Sequence, residues 1–292
     1  MRTIAAAIRF IVYSNLFIAL CAAAYTAKTS LLLYGSNGSL SVNGIVFCAT
    51  LLLYCFHRIN KKKFLTLYEN AEERNNWMSL HKSVYHTLIP VSVALLCVQL
   101  FFMPPRMWLV FVPAGIVGLG YTYPIVPARG GWKRLRDIYW LKPVWIALAF
   151  SWLTTFLPVV YAESVSSVIK PEVLFIFFRG FLFIFVLCIP FDIRDRAFDE
   201  RRGVYTIPVR LGEKKSIYLS IILLLFFVVL LVIQLLYFGL NTHIAFALFI
   251  SCILTAAILP LGKAGKPALM YPLLYDGAML VQWVLIVVSL HI

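Results

Sequence analysis

Long apolar segments separated by short polar connections dominate this sequence. Nine such segments can be recognised, at about residues 8–26, 39–56, 84–102, 106–123, 142–160, 172–191, 216–238, 243–261 and 270–290. Most approach the roughly 20 residues that an α-helix needs to cross the hydrocarbon core of a bilayer. Because backbone amides must be paired within lipid, and the alternation of a membrane β-barrel is absent, each segment is predicted to be a helix. The pattern predicts an all-α polytopic membrane protein with nine transmembrane helices.

Composition agrees with this interpretation. The chain is 62% hydrophobic and only 13% charged, whereas a soluble domain is about 25% charged. A net charge of +14 would suggest a nucleic-acid partner in a soluble protein, but here the charges lie between apolar segments and no such partner is expected. The six cysteines lie in or beside apolar stretches without paired spacing, which argues against a disulfide framework and a zinc site.

The distribution of basic residues predicts the orientation. Most of the 26 Lys and Arg residues lie at the N-terminal end or in every second connection between the apolar segments. The exceptions are Lys28, Arg106, Lys170 and Arg179. The positive-inside rule places these basic connections, with the N-terminus, in the cytoplasm, and nine spans then place the C-terminus outside. The expected location is a bacterial inner (plasma) membrane. We expect one membrane domain over residues 1–292, with long cytoplasmic connections at about 57–83, 124–141 and 192–215.

The connection after the sixth apolar segment contains the most informative charges. Asp192, Asp195 and Asp199 are spaced i, i+3, i+7, so on a helix continuing past Pro190 they would fall within an arc of roughly 60°. Such a stripe of carboxylates suits Mg²⁺, especially when phosphate oxygens complete its shell. Neighbouring guanidinium groups could contact those phosphates: Arg194, Arg196, Arg201 and Arg202. The alternative is a solvated lattice of ion pairs without a ligand.

This stretch resembles the second aspartate motif and the following loop of the UbiA-type intramembrane prenyltransferases. Two other places are similar to family signatures, namely the tyrosine-proline connection after the fourth span and the start of the last span. The residues that carry the resemblance are Asp192 to Asp199, Gly203, Thr206-Ile207-Pro208, Leu211-Gly212, Tyr121 to Pro124, Leu141-Lys142, and Tyr275-Asp276-Gly277. The resemblance implies a ring of nine helices around a central cavity.

The resemblance also implies an activity. Members of the family transfer a prenyl group from a polyprenyl diphosphate to an aromatic or other acceptor, with Mg²⁺ held between two aspartate motifs. Expected partners are therefore the polyprenyl diphosphate, a small acceptor molecule and membrane lipid, and no protein partner is inferred. The expected metal-binding and catalytic residues are Asp192, Asp195 and Asp199, and the expected contacts of the substrate diphosphate are His57, Arg58, Lys142, Arg196 and Tyr123.

One departure from the family pattern bears on this expectation. The first aspartate motif should lie at the end of the second span, but residues 54–63 contain no carboxylate. His57, Arg58 and Lys61 could instead neutralise a diphosphate directly, or the site could bind a lipid head group without catalysis. Lys61 to Lys63 could also be only an anchor for anionic lipid. Glu69, Glu72 and Glu73 could supply the missing acids only if their segment folds back.

Two further charged residues are candidates. Arg179 lies within the sixth span, where a charge is a functional candidate by default, although its side chain could also snorkel outward. Asp276 begins the last span and is interpreted as a cap or an ion-pair partner. The leading hypothesis is a Mg²⁺-assisted prenyltransferase. A non-catalytic protein that binds isoprenoid or phospholipid is the first alternative, and a transporter is the second.

Overall fold

The computed structural model of the chain describes residues 2–59, 72–128 and 131–291. Helices make up most of this part of the chain. They are α1 (Arg2–Tyr13), α2 (Leu16–Tyr34), α3 (Leu40–Ile59), α4 (Glu72–Leu80), α5 (Lys82–Phe101), α6 (Trp108–Thr122), α7 (Lys142–Ala162), α8 (Pro171–Arg194), α9 (Arg196–Arg201), α10 (Ile207–Tyr237), α11 (Thr242–Ile258) and α12 (Gly277–Ser289). A π-helical turn, Pro272–Asp276, leads directly into α12.

Within the described residues, eight helices are long and apolar enough to cross a membrane. The apolar helix α6 has 15 residues and would extend only about 22 Å, less than the roughly 30 Å of a hydrocarbon core, and the apolar helix α1 is shorter still. The chain is therefore a polytopic helical membrane protein, as predicted, and its described residues form eight rather than nine helices of full spanning length.

The predicted bounds of the first span, 8–26, are wrong. The helix α1 ends at Tyr13, and Asn15 adopts a left-handed conformation with φ of 69°. Asparagine is one of the few residues that tolerate this conformation, so the chain breaks there and the spanning helix α2 runs from Leu16 to Tyr34. As a consequence Lys28, which was assigned to a polar connection, lies inside a spanning helix and is buried.

The long helices form a ring. The helix α2 packs against α3 and α12, and α3 packs against α5 and more lightly against α6. The remaining neighbours follow chain order, because α6 contacts α7, α7 contacts α8, α8 contacts α10, α10 contacts α11, and α11 contacts α12. The contact of α12 with α2 closes the ring, as the family resemblance implied.

Two local features interrupt the helices. Strands β1 (Val126–Ala128) and β2 (Gly131–Lys133) form an antiparallel hairpin between α6 and α7, which the all-α prediction missed. Near the start of α10, Gly212 has φ of 79° and ψ of 167°, a conformation that is strained for residues with a Cβ. The helical axis therefore bends at Gly212 before the long spanning part of α10.

Candidate active site

The helix α8 ends among the predicted aspartates. Asp192 is in its last turn, the helix ends at Arg194, and Asp195 has φ of −86° and ψ of 0° before α9 begins. The expectation of one continuous helix carrying three aligned carboxylates is therefore wrong. Arg194 and Asp195 instead form a break between two helical segments, with Asp192 before it and Asp199 after it.

Asp192 and Asp199 converge on the ammonium group of Lys142. The Lys142 Nζ atom lies 2.7 Å from Asp192 Oδ1 and 3.0 Å from Asp199 Oδ2. All three side chains are largely buried, with 15%, 5% and 9% of the Lys142, Asp192 and Asp199 side chains exposed. Two buried carboxylates at this separation would repel each other strongly without a cation. Lys142, at the start of α7, supplies that cation.

Asp195 pairs closely with a different cation. Its two oxygens accept hydrogen bonds of 2.8 and 3.2 Å from the guanidinium of Arg194. That guanidinium also lies over the rings of Phe191 and Tyr271, at 5.3 and 5.1 Å from their centroids. Asp195 is therefore paired with a residue of the same short connection between α8 and α9.

The carboxylates fit a metal ion only in a limited way. Within the described residues, no group of three or more His, Cys, Asp and Glu side chains lies close enough to hold a metal ion. However, Asp192 Oδ2 is buried and has no hydrogen-bond partner, which leaves it open to a ligand. Mg²⁺ is commonly held by one or two carboxylates together with substrate phosphates. Asp192 and Asp199 suit that arrangement, whereas a cage built from protein alone does not.

The end of α3, which has no carboxylate among its described residues, contacts α6 and the segment before α7 through His57. His57 Nε2 lies 2.9 Å from Arg136 NH1, and His57 Nδ1 lies 3.3 Å from Thr122 Oγ1. Tyr121 completes this group, since its ring centroid is 5.6 Å from that of His57. The end of α3 is thereby joined to the end of α6 and to the segment just before α7.

These contacts determine the protonation of His57 in this arrangement. A guanidinium group can only donate, so Nε2 accepts from Arg136 and the ring proton is on Nδ1, from which it is donated to Thr122. Burial lowers the pKa of Arg136, and the nearby Arg134 adds to that effect, but a guanidinium remains charged in proteins. Of this pair, Arg136 therefore has the positive charge, and neutral His57 holds it in position.

A cavity of about 540 Å³ joins both groups. Asp192, Asp199 and Lys142 line it, as do His57 and Arg136. The rest of its wall is mainly apolar, with side chains from α3, α6, α7 and α8 that include Val46, Leu53, Val117, Ile146, Phe150, Leu153, Ile184 and Leu187. The space thus combines a charged end with an extended apolar region inside the helix ring.

The structure brings most of the expected site residues to this cavity. Its wall includes Asp192, Asp195, Asp199, His57, Lys142 and Tyr123. Arg196 is absent from the wall as described, whereas Arg194 and Arg202 belong to it. The side chain of Arg58, and all of Lys61, Lys62, Lys63 and Glu69, lie outside the described residues, as does the side chain of Glu72.

Some acids and cations are placed differently from the sequence-based expectation. Glu73 pairs with Arg9 at 3.1 Å, with both side chains about half exposed, and does not substitute for the missing motif. Asp276 lines the cavity. Sequence reasoning missed Arg136 and Asn15, which also line it. The cluster of basic residues before Lys142 was the one sequence feature that could have indicated a site role for Arg136. No sequence feature indicated such a role for Asn15.

Comparisons with known proteins agree with this architecture. The sequence model of the UbiA prenyltransferase family matches residues 81–265. That match begins after α3, so the divergent end of α3 lies outside it. No curated protein matches the sequence.

Solved structures match over almost the whole chain. A UbiA homologue from Aeropyrum pernix K1 has 15% identity and a TM-score of 0.66, with 94% of this chain and 97% of that chain covered. A UbiA homologue from Archaeoglobus fulgidus, bound to GPP and Mg²⁺, has 13% identity and a TM-score of 0.67, with coverage of 97% and 100%. Since the family model covers more than half of the chain and these folds coincide with its ring of helices, the chain belongs to the UbiA prenyltransferase family.

Proposed function

We propose that this protein transfers a prenyl group from a polyprenyl diphosphate to a small acceptor molecule within the membrane, with assistance from Mg²⁺. The observation that carries the proposal is the cavity itself, because one continuous space has Asp192, Asp199, Lys142 and Arg136 at its charged end and aliphatic and aromatic walls beyond. A diphosphate with a hydrocarbon tail has the same division of polarity. Structures of a similar protein bound to GPP and to DMAPP, each with Mg²⁺, support this choice of ligand.

The chemistry requires a charged leaving group to be stabilised. The bond between the allylic carbon and the diphosphate oxygen breaks, its electrons remain on the diphosphate, and the acceptor then forms a bond to that carbon and loses a proton. Cations aimed at the developing charge lower the barrier to such a step. In this proposal Lys142 and Arg136 contact diphosphate oxygens, and the apolar wall excludes the water that would otherwise capture the prenyl cation.

A bound Mg²⁺ would neutralise further charge on the diphosphate as it leaves. Asp192 and Asp199 would hold it, and the unpartnered Asp192 Oδ2 is the first oxygen available to it. In this proposal Arg136, positioned by His57, supplies positive charge at the end of α3 where the family's first aspartate motif is missing. Asp195 contributes by fixing Arg194 and the break between α8 and α9.

The experiment combines purified protein with GPP or DMAPP, candidate aromatic and lipid acceptors, and Mg²⁺, and follows diphosphate release and prenylated product by mass spectrometry. We expect turnover that stops on chelation of the metal and falls about 100- to 1000-fold in Asp192→Asn and Asp199→Asn. Glu163→Gln is the matched control, because Glu163 forms its ion pair with Lys170 beyond the far end of α7. Diphosphate release that is equal in all variants would contradict the proposal.

One observation favours a second candidate function. Lys142 already bridges the two carboxylates, and the described end of α3 supplies no acid, so the cavity could bind an isoprenoid or phospholipid without reacting with it. This candidate predicts that prenyl diphosphates raise the melting temperature of the protein while no diphosphate is released with any acceptor. Measuring the melting temperature and the diphosphate release with the same prenyl diphosphates therefore distinguishes a binding protein from an enzyme.

A further inference from the structure

A second charged cluster lies deep in the helix ring, away from the cavity described above. Lys28 of α2 and Arg179 of α8 are buried, with only 3% and 2% of each residue exposed. Arg179 and Asp192 are 13 residues apart on the same helix, which corresponds to about 20 Å. The two basic residues therefore occupy the opposite half of the bundle from the aspartates.

The neighbours of Lys28 are polar but uncharged. Its Nζ atom donates to Gln282 Oε1 at 3.3 Å and lies 3.5 Å from the centroid of the Tyr25 ring. Gln282 in turn donates through Nε2 to Ser251 Oγ at 2.9 Å. Helices α2, α11 and α12 thus contribute a connected polar group to an otherwise apolar interior.

Arg179 is less well satisfied. Its Nε and NH1 atoms are buried without a hydrogen-bond partner, and its closest described aromatic contact is Phe227, 5.5 Å from Cζ. Tyr25 lies near both basic residues, because its ring lies under Lys28 Nζ and it interacts electrostatically with Arg179. The Tyr25 hydroxyl also has no partner.

No counter-charge is present among the residues that the structure describes. The only charged group that acts on Lys28 is Arg179, and no Asp or Glu acts on Arg179. Burying an uncompensated charge costs several kcal/mol, and an arginine cannot lose its charge by deprotonation in a protein. A buried lysine can relieve this cost by losing its proton, but Arg179 keeps its charge and has no anion among the described residues.

We propose that Lys28 and Arg179 form a binding site for a small monovalent inorganic anion such as chloride. The donors available to it are Arg179 Nε and NH1, the Tyr25 hydroxyl and the ammonium of Lys28. The burial of both basic residues favours a monatomic anion, because a lipid head group or a diphosphate would not fit between closely packed helices. The bound anion compensates the positive charge that α2 and α8 bury in this half of the bundle.

The test is thermal unfolding of the full-length protein in detergent at constant ionic strength, with sodium chloride or bromide exchanged for sodium gluconate. Because a ligand that binds only the folded state stabilises it by mass action, we expect the melting temperature to rise by roughly 3–6 °C in 0.3 M chloride or bromide. The increase should disappear in Arg179→Met and shrink in Lys28→Met. Lys170→Met, which removes an exposed lysine paired with Glu163, should retain it.

Anomalous diffraction from crystals soaked in bromide provides a second measurement that does not depend on the stability of any variant. A bromide peak within hydrogen-bond reach of Arg179 and Lys28 would support the proposal. It would be overturned by the absence of a peak there, or by an equal response to chloride in the wild type and in Arg179→Met. Either variant could be more stable than the wild type in gluconate, because it loses a buried charge, so the halide-dependent difference is the quantity compared.

Discussion

At the scale of single residues, the site is governed by how each buried charge finds a partner. Lys142 forms ion pairs with two carboxylates at once, whereas Asp195 accepts a hydrogen bond from its neighbour Arg194. The spacing of the three aspartates suggested equal roles for them. All three line the cavity, but two of them pair with Lys142 and the third pairs with Arg194 in the connection between α8 and α9.

Replacing Lys142 with methionine tests the pairing directly. The buried Asp192 and Asp199 would lose their shared cation, so we expect the free energy of unfolding to fall by about 3–5 kcal/mol. Added Mg²⁺ should raise the melting temperature of Lys142→Met more than that of the wild type, because a divalent ion can take the vacated position between the carboxylates. Thermal unfolding with and without Mg²⁺ measures both effects.

The matched control is Lys142→Met combined with Asp192→Asn and Asp199→Asn. It has the same lost ammonium but no carboxylate pair, so it should show no Mg²⁺-dependent rise. A rise of the same size in this triple variant would mean that the metal stabilises the protein at another place.

His57 is expected to act through Arg136. In His57→Leu the guanidinium loses its acceptor, and we expect the KM for the prenyl diphosphate to rise roughly tenfold while kcat changes little. His57→Gln, which keeps an acceptor oxygen, should recover much of that loss. Steady-state kinetics with the KM and kcat effects separated is the appropriate measurement, since a purely structural role would not produce this division.

His81→Leu provides the comparison for His57. His81 stacks on Trp77 at 4.3 Å between centroids and contacts the Trp77 carbonyl, away from the cavity wall. Its replacement should leave the KM for the prenyl diphosphate unchanged. An unchanged KM in His57→Leu as well would contradict the positioning role.

At the scale of elements, close approaches between helices hold the cavity end of the ring together. A Cβ added to Gly262 would lie 2.6 Å from Tyr275 Oη and 2.8 Å from Pro190 Cβ. Neither neighbour can move easily, because Tyr275 donates to the Ile258 carbonyl at 3.0 Å and Pro190 is part of α8. Gly262 thus permits the segment after α11 to pack against α8 and the start of the last span.

We expect Gly262→Ala to destabilise the protein by about 1–3 kcal/mol through overpacking. Gly115→Ala in α6 is the control, because a Cβ there meets nothing within 4 Å and alanine is the better helix former. Denaturant unfolding of the purified variants measures the difference. Equal stability of the two variants would show that the segment around Gly262 adjusts more freely than its contacts indicate.

At the scale of the whole molecule, the distribution of charge predicts which end of the ring faces the cytoplasm. Residues 57–83, 124–142 and 192–215 contain 18 of the 26 Lys and Arg residues, and the charged end of the cavity is on the same side. We expect that side to be cytoplasmic by the positive-inside rule. A diphosphate made in the cytoplasm would then enter the cavity directly.

Cysteine labelling of intact cells tests this orientation. In a background in which the exposed Cys97 is replaced by serine, Ser166→Cys, in the connection between α7 and α8, should react with a membrane-impermeant maleimide. Glu200→Cys, in α9, should react only after the membrane is permeabilised. Both parent residues are exposed, so accessibility to solvent is matched, and the opposite pattern would contradict the predicted orientation.

The sequence by itself determined the class of protein, the approximate position of most of the apolar helices, and the aspartate segment at the end of α8. These follow from local properties, since a run of apolar residues in lipid has to be helical and a short motif is read along the chain. The sequence could not determine the true start of α2, because both sides of Asn15 are apolar and only its left-handed backbone divides α1 from α2.

Tertiary structure decided the partners of the charges. Lys142 and Asp199 are 57 residues apart in the chain. His57 and Arg136 are 79 residues apart, and Lys28 and Gln282 are 254 residues apart. No local pattern encodes such pairs, because they depend on which helices become neighbours in the ring. The burial that makes these charges energetically significant likewise exists only after the ring has closed.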